Sequence, residues 1–134
     1  MYPADYRYTK QHEWVKVDGE VGIVGITHYA QQELGDVVFV DMPKPGTKIK
    51  LGASFGTVES VKAVSEIFSP VSGEILETNG LLSDAPEKIN ADPHVTAWLI
   101  KVKLANPAEV KDLMDATAYE AFIAEAEKNK EASA

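Results

Sequence analysis

One lysine stands apart among the residues of this chain that could carry chemistry. Lys62 lies near the middle of Gly56-Thr57-Val58-Glu59-Ser60-Val61-Lys62-Ala63-Val64-Ser65-Glu66-Ile67-Phe68-Ser69-Pro70-Val71-Ser72-Gly73-Glu74-Ile75. Two β-rich runs there flank Lys62-Ala63, a pattern that predicts a hairpin with the lysine at its tip. A lysine at an exposed tip lacks the desolvation that makes a Schiff-base lysine nucleophilic, so another enzyme has to acylate it. Glu59 and Glu66 flank the tip. Two roles are open for them, solubility on a solvated hairpin or recognition by the acylating enzyme. His12-Glu13-Trp14 sets an acid beside an aromatic. Glu13 is open to two readings, a solvated strand residue or a contact for whatever group Lys62 carries, which a carboxylate in a partly buried cleft would hold more strongly than one at the surface.

Other chemistries find little support. The chain has no cysteine, which excludes disulfides, thiolate metal sites and Cys nucleophiles. His12, His28 and His94 show no ligand spacing with one another or with carboxylates, so no metal site is expected and they read as ordinary surface or turn residues. No nucleophile with a base beside it is legible, as an independent hydrolase or transferase would need. Thirteen Lys and Arg against 21 Asp and Glu give a net charge of −8. That charge disfavours nucleic acid and anionic membranes and favours basic docking faces on partners. No apolar run is long enough to span a bilayer, and no signal or transit peptide is visible, so a cytoplasmic protein is expected.

The elements that must position Lys62 read as mostly β. A chain of 134 residues with 45% hydrophobic content suits a single domain over 1–134, with a core at about 8–104 and C-terminal helices at about 107–127. Gly, Pro, Asn and Asp punctuate short runs that predict strands at His12–Val17, Val21–Ile26, Val37–Met42, Thr47–Leu51, Phe55–Val61, Val64–Ser69, Glu74–Thr78 and Ala97–Leu104. In the last, Trp98, Ile100, Val102 and Leu104 share an apolar face, while Leu99, Lys101 and Lys103 share the other. Trp14 and Trp98 are expected to be core anchors. Thr27 can cap a short helix that ends at Gly35 in the left-handed conformation, and Ser83–Asn90 can hold one further turn. Asn106-Pro107 with Glu109 predicts a helix start with a capping box. Thr117 with Glu120 predicts another, and the two helices carry stripes of Val110, Leu113 and Met114, then Tyr119, Phe122, Ile123 and Ala126. Residues 127–134 are expected to fray.

The ordered segments Tyr8-Thr9-Lys10, His12-Glu13-Trp14-Val15, Val24-Gly25-Ile26-Thr27, Tyr29-Ala30-Gln31, Leu34-Gly35-Asp36-Val37-Val38-Phe39-Val40, Val58-Glu59-Ser60-Val61-Lys62-Ala63, Ser69-Pro70-Val71-Ser72-Gly73-Glu74, Ile89-Asn90, Asp92-Pro93 and Trp98-Leu99-Ile100-Lys101-Val102 carry a family resemblance. From Tyr8 to Phe122 the chain resembles the H proteins of the glycine cleavage system. The resemblance implies a hybrid-barrel or sandwich fold like that of lipoyl and biotinyl domains, with short helices and a C-terminal helical segment. It implies that Lys62 matches the lysine that carries covalent lipoic acid. On that resemblance the chain is a non-catalytic carrier that takes an aminomethyl group and reducing equivalents between glycine decarboxylase (P protein), aminomethyltransferase (T protein) and dihydrolipoyl dehydrogenase (L protein), after loading by lipoylating enzymes. Two rival readings differ in what the lysine serves. A lipoyl-relay protein would donate lipoyl groups to other complexes, and a biotinyl carrier usually has methionine on both sides of its lysine, where Val61 and Ala63 stand here. The chain departs from the family where Asp-Pro-Tyr is usually followed by Gly-x-Gly. It reads Asp92-Pro93-His94-Val95-Thr96-Ala97, and the lost glycines predict a different local turn. His28 stands where Asp is common.

Overall fold

The computed structural model describes residues 1–133. Nine strands form in the order β1 (Tyr6–Tyr8), β2 (Glu13–Asp18), β3 (Val21–Ile26), β4 (Val37–Asp41), β5 (Lys48–Ile49), β6 (Ser54–Ser60), β7 (Val64–Phe68), β8 (Gly73–Thr78) and β9 (Ile100–Leu104). They make a six-stranded sheet, β1-β2-β3-β9-β8-β5, and a three-stranded sheet, β4-β6-β7. All strand pairs are antiparallel. The mostly β fold with helices at its margins is as the sequence predicts. Among the described residues no helix is long and apolar enough to cross a membrane.

Strand alternation aims one face of each sheet at the other, and the core forms between them. Val15, Val24, Ile26, Ile75, Ile100 and Val102 from the larger sheet meet Val37, Val58 and Ile67 from the smaller one. A second cluster lies on the opposite side of the larger sheet, where Tyr6, Tyr8, Trp14 and Tyr119 pack with Tyr2, Trp98 and Phe122. Trp14 is the core anchor expected of it, with its indole N–H donating to the carbonyls of Ile26 and Pro93. Its ring lies so close over β3 that a Cβ on Gly25 would approach it to 2.5 Å, which explains a glycine inside a buried strand.

The strand at 97–104 begins only at Ile100. Residues before it lack strand alternation, so Leu99 enters the main core while Trp98 is half-buried in the second cluster, with Lys101 Nζ 4.8 Å from its ring centroid. β1 has no counterpart in the sequence reading because three residues are too short to show a period. It joins the sheet through β2 and bridges Tyr8 to Met114.

Helix α1 (His28–Leu34) is capped as expected, the Thr27 hydroxyl accepting from Ala30 N–H at 3.2 Å. Gly35 ends it at φ 79°, ψ −157°, which is not the left-handed helical conformation but a region essentially reserved for glycine. The single turn expected at 83–90 is two turns, α2 (Leu81–Asp84) and α3 (Lys88–Ala91), separated around Pro86. Pro107–Asp112 is a 3-10 turn capped by Asn106. Glu109 forms no capping box, because its carboxylate accepts from the Ser72 backbone N–H and hydroxyl instead. Helix α4 (Ala116–Ser133) starts with Asp115 accepting from Ala118 N–H, two residues before the start expected at Thr117. The fraying expected at 127–134 is not seen through Ser133, and Ala134 lies outside the described residues. Lys130 on this last stretch pairs with Glu33 of α1 and lies over the Tyr29 ring.

Candidate functional site

The β6–β7 hairpin presents Lys62. Glu59 and Val64 are the last paired residues, and the Ser60 N–H donates to the Ala63 carbonyl at 2.8 Å. The buried Ser60 hydroxyl accepts from the backbone N–H groups of Lys62 and Ala63 at 3.3 and 3.1 Å. It also donates to the Ala63 carbonyl, so one small side chain organises the turn. The tip is tied to the rest of the molecule through Val61 N–H, which donates to the Asp36 carbonyl at 3.0 Å. Asn90 fixes that anchor. Its amide donates to Gln31 Oε1 and the Gly35 carbonyl, and its carbonyl accepts from Val37 N–H. Lys62 is exposed, and its stem passes so near Gly35 that a Cβ there would sit 3.6 Å from Lys62 Cε.

A groove of about 300 Å³ opens beside Lys62 between α1 and β7. Ile26, Ala30, Leu34 and Ile67 supply its apolar lining, and His12, Glu33 and Glu66 supply polar groups. A roomier apolar groove of about 690 Å³ lies at the other end of the strands, around Ile49, Leu51 and Leu104. It shares no residue with the hairpin tip, whereas the smaller groove is lined by Ala63 and Val64 beside Lys62.

Glu13 is only 2% exposed and is not a solvated strand residue. Its carboxylate accepts from the Thr9 hydroxyl at 2.6 Å and from Phe68 N–H at 3.3 Å. Burial pushes its carboxyl up to about 7, partly opposed by those two hydrogen bonds. It sits behind the groove and does not line it, whereas its neighbour His12 does. Glu66 stands at the groove lip and Glu59 on the exposed sheet face, so the two acids flanking the tip have different surroundings.

The histidines are not all ordinary surface residues. His12 has φ 71° and is half-buried, its Nδ1 sharing a 2.8 Å hydrogen bond with the Tyr119 hydroxyl. That hydroxyl shares another at 2.7 Å with Thr27, which links α4, the α1 cap and the groove wall. Burial lowers the His12 pKa, partly opposed by Glu33. His94 is buried, accepting from His28 N–H, and burial and the nearby His28 lower its pKa. The altered turn at 94–97 needs no positive φ; Asp92 holds it by accepting from the backbone and hydroxyl of Thr96. Among the described residues no group of three or more His, Asp or Glu is placed to hold a metal. Ser60 and Asn90 are supporting residues that the sequence reading passed over. Both lie in segments with signal, Ser60 two residues before Lys62 and Asn90 in Ile89-Asn90.

Two small antiparallel sheets with a lysine on a pinned hairpin tip define a lipoyl-domain-like carrier fold. The sequence model described as "Glycine cleavage H-protein" matches residues 6–126. Curated relatives include the glycine cleavage system H protein of Acidobacterium capsulatum, 59% identical over 92% of this chain and 95% of its own length. That of Symbiobacterium thermophilum is 52% identical, over 92% and 96%. A crystal structure of a glycine cleavage system H protein from Mycobacterium marinum superposes with a TM-score of 0.80 at 39% identity, covering 87% of this chain and 94% of that one. The chain belongs to the glycine cleavage H-protein family. It is thus a carrier component and not an enzyme.

Proposed function

We propose that this chain, as one domain, carries lipoic acid as an amide on Lys62 and serves glycine cleavage in the cytoplasm by moving between the P, T and L proteins. The observation that carries the reading is the exposed Lys62 on a turn pinned by Ser60, Asp36 and Asn90, beside a groove with an apolar lining. The residues suit the group: the amine is open to an acylating enzyme, and the groove offers apolar surface to a hydrocarbon stem and carboxylates to an amine. The lipoyl group would supply a disulfide that accepts the aminomethyl group and the two electrons released as glycine loses carbon dioxide, electrons that the L protein would later remove.

The chain's own part is positional. Tethering through Lys62 raises the effective concentration of the arm at each docked partner. The groove keeps water from an arm lying in it, which limits loss of an aminomethyl group as ammonia and formaldehyde. Glu66 at the lip is the acid open to the protonated amine, while Glu13 is screened from the groove and would feel a cation there only at a distance, which favours release of its proton. Glu59 and Glu66 also face an incoming lipoylating enzyme.

The test is carrier-dependent release of carbon dioxide from glycine by the P protein. Wild type loaded with lipoate supports turnover and Lys62→Arg, which keeps the charge but cannot form the amide, supports none. Turnover at the wild-type rate with Lys62→Arg contradicts the assignment. A lipoylated wild type that donates its lipoyl group to other complexes yet supports no glycine decarboxylation favours the relay reading.

A further inference from the structure

The exposed face of the β4-β6-β7 sheet has a pattern that carrier function alone does not require. Phe39 pairs across from Glu59, and Glu59 across from Val64, so the three form one row on the same face. The next row is Asp41, Thr57 and Glu66. Phe39 is 56% exposed and Val64 65%, and Val61, next to the lysine at the tip, is 70% exposed. Val38, the extra residue of a bulge in edge strand β4, adds further exposed apolar surface. Among the described residues none of Asp41, Glu59 and Glu66 forms an ion pair. Single exposed apolar residues are ordinary on protein surfaces, but an aromatic and two valines gathered beside the reactive amine and rimmed by free carboxylates form a docking pattern.

We propose that this face, with Phe39 as its anchor, is the footprint of the enzyme that acylates Lys62. The inference rests on Lys62 being the lipoylated residue. Reach selects this partner. The acylating enzyme has to bring its activated acyl carbonyl, held as an adenylate or a thioester, into bonding distance of Nζ itself. Nζ gives up two protons to a base on that enzyme or to solvent, one to free its lone pair and one as the amide forms. The C–N bond forms, and the C–O or C–S bond breaks as the nucleotide or thiol leaves with its electron pair. Enzymes that act at the far end of the loaded arm can stand a full arm's length away. Only the acylating enzyme is obliged to cover the residues flanking Lys62. Its matching face is an apolar pocket for Phe39 ringed by Lys or Arg.

The experiment follows acylation of the apo chain by a lipoate ligase with lipoate and ATP, using intact-mass initial rates at several carrier concentrations and peptide mapping of the product. Phe39→Ser lowers kcat/KM by about 10- to 30-fold, chiefly through KM, and Phe39→Leu recovers most of it. Glu59→Lys also raises KM, and the charge reversal stays informative if Phe39→Ser folds poorly. Carriers with Phe39→Ser, once loaded, retain a near wild-type KM with the P protein. Wild-type kcat/KM for both Phe39→Ser and Glu59→Lys overturns the proposal, as does an equal loss with the P protein, which makes the face common to all partners. A wild type with no acyl group on Lys62 overturns the underlying assignment instead.

Discussion

Replacing Glu13 with Gln should stabilise the protein at neutral pH and leave it almost unchanged in acid. The carboxyl has an ordinary value of 4.5 and is pushed up to about 7 by burial. Between those values the folded protein keeps a proton that the unfolded chain has lost, so raising the pH favours unfolding. The contribution is fully present below pH 4.5, falls through the window and is lost above 7. At about 1.4 kcal/mol per pH unit the window is worth roughly 3 kcal/mol. Glutamine imitates the protonated acid, since its carbonyl can accept from Phe68 N–H and its amide can donate to the Thr9 hydroxyl. His12 and His94 act in the opposite sense, because their pKa values are lowered in the fold. The stability they give is present above 6.5 and lost as pH falls through their lowered values. Both are present in both proteins, so the difference between the curves isolates Glu13. Urea unfolding followed by tryptophan fluorescence at pH 5, 6, 7 and 8 measures it. The Gln variant gains on wild type progressively, by roughly 3 kcal/mol at pH 8. A difference that does not change with pH refutes the reasoning.

The anchor of the hairpin tip can be tested from two sides. Asn90→Ala leaves the Gly35 carbonyl and the buried Val37 N–H without their partners and should cost about 2–4 kcal/mol in chemical denaturation, with slower acylation of Lys62; a loss below 1 kcal/mol contradicts the bracing role. Gly35→Ala places a Cβ on a backbone at φ 79°, ψ −157° and should cost about 1–3 kcal/mol. The added methyl meets Lys62 Cε at an ordinary 3.6 Å, so the loss belongs to the backbone, and Gly35→Ser should cost as much. An unchanged midpoint for both variants contradicts that account.

The strands were legible wherever alternation ran for several residues between Gly, Pro or Asn, as at Val21–Ile26 and Glu74–Thr78. Lys62 was legible because a hairpin puts its tip where the flanking runs end, a local relation. What escaped depends on distant partners. Burial of His94 requires the His28 backbone, and the role of His12 requires Tyr119, 107 residues away. Glu109 looked like a capping residue because Asn106 lies three residues before it, yet Ser72 provides stronger competition from another part of the chain. Leu99 and Trp98 exchanged places because alternation was extended past the true start of β9. The length of α4 was missed because Lys130 finds Glu33 and Tyr29 only once α1 is in place.

Peptide-mapped mass spectrometry of the chain isolated from cells that make it, beside Lys62→Arg prepared in the same way, reads out whether Lys62 bears the lipoyl group. The expected result is one lipoyl amide, confined to the peptide containing Lys62 and missing from the variant. A lipoyl group on another lysine, or a wild-type chain that carries none while supporting glycine decarboxylation, contradicts it.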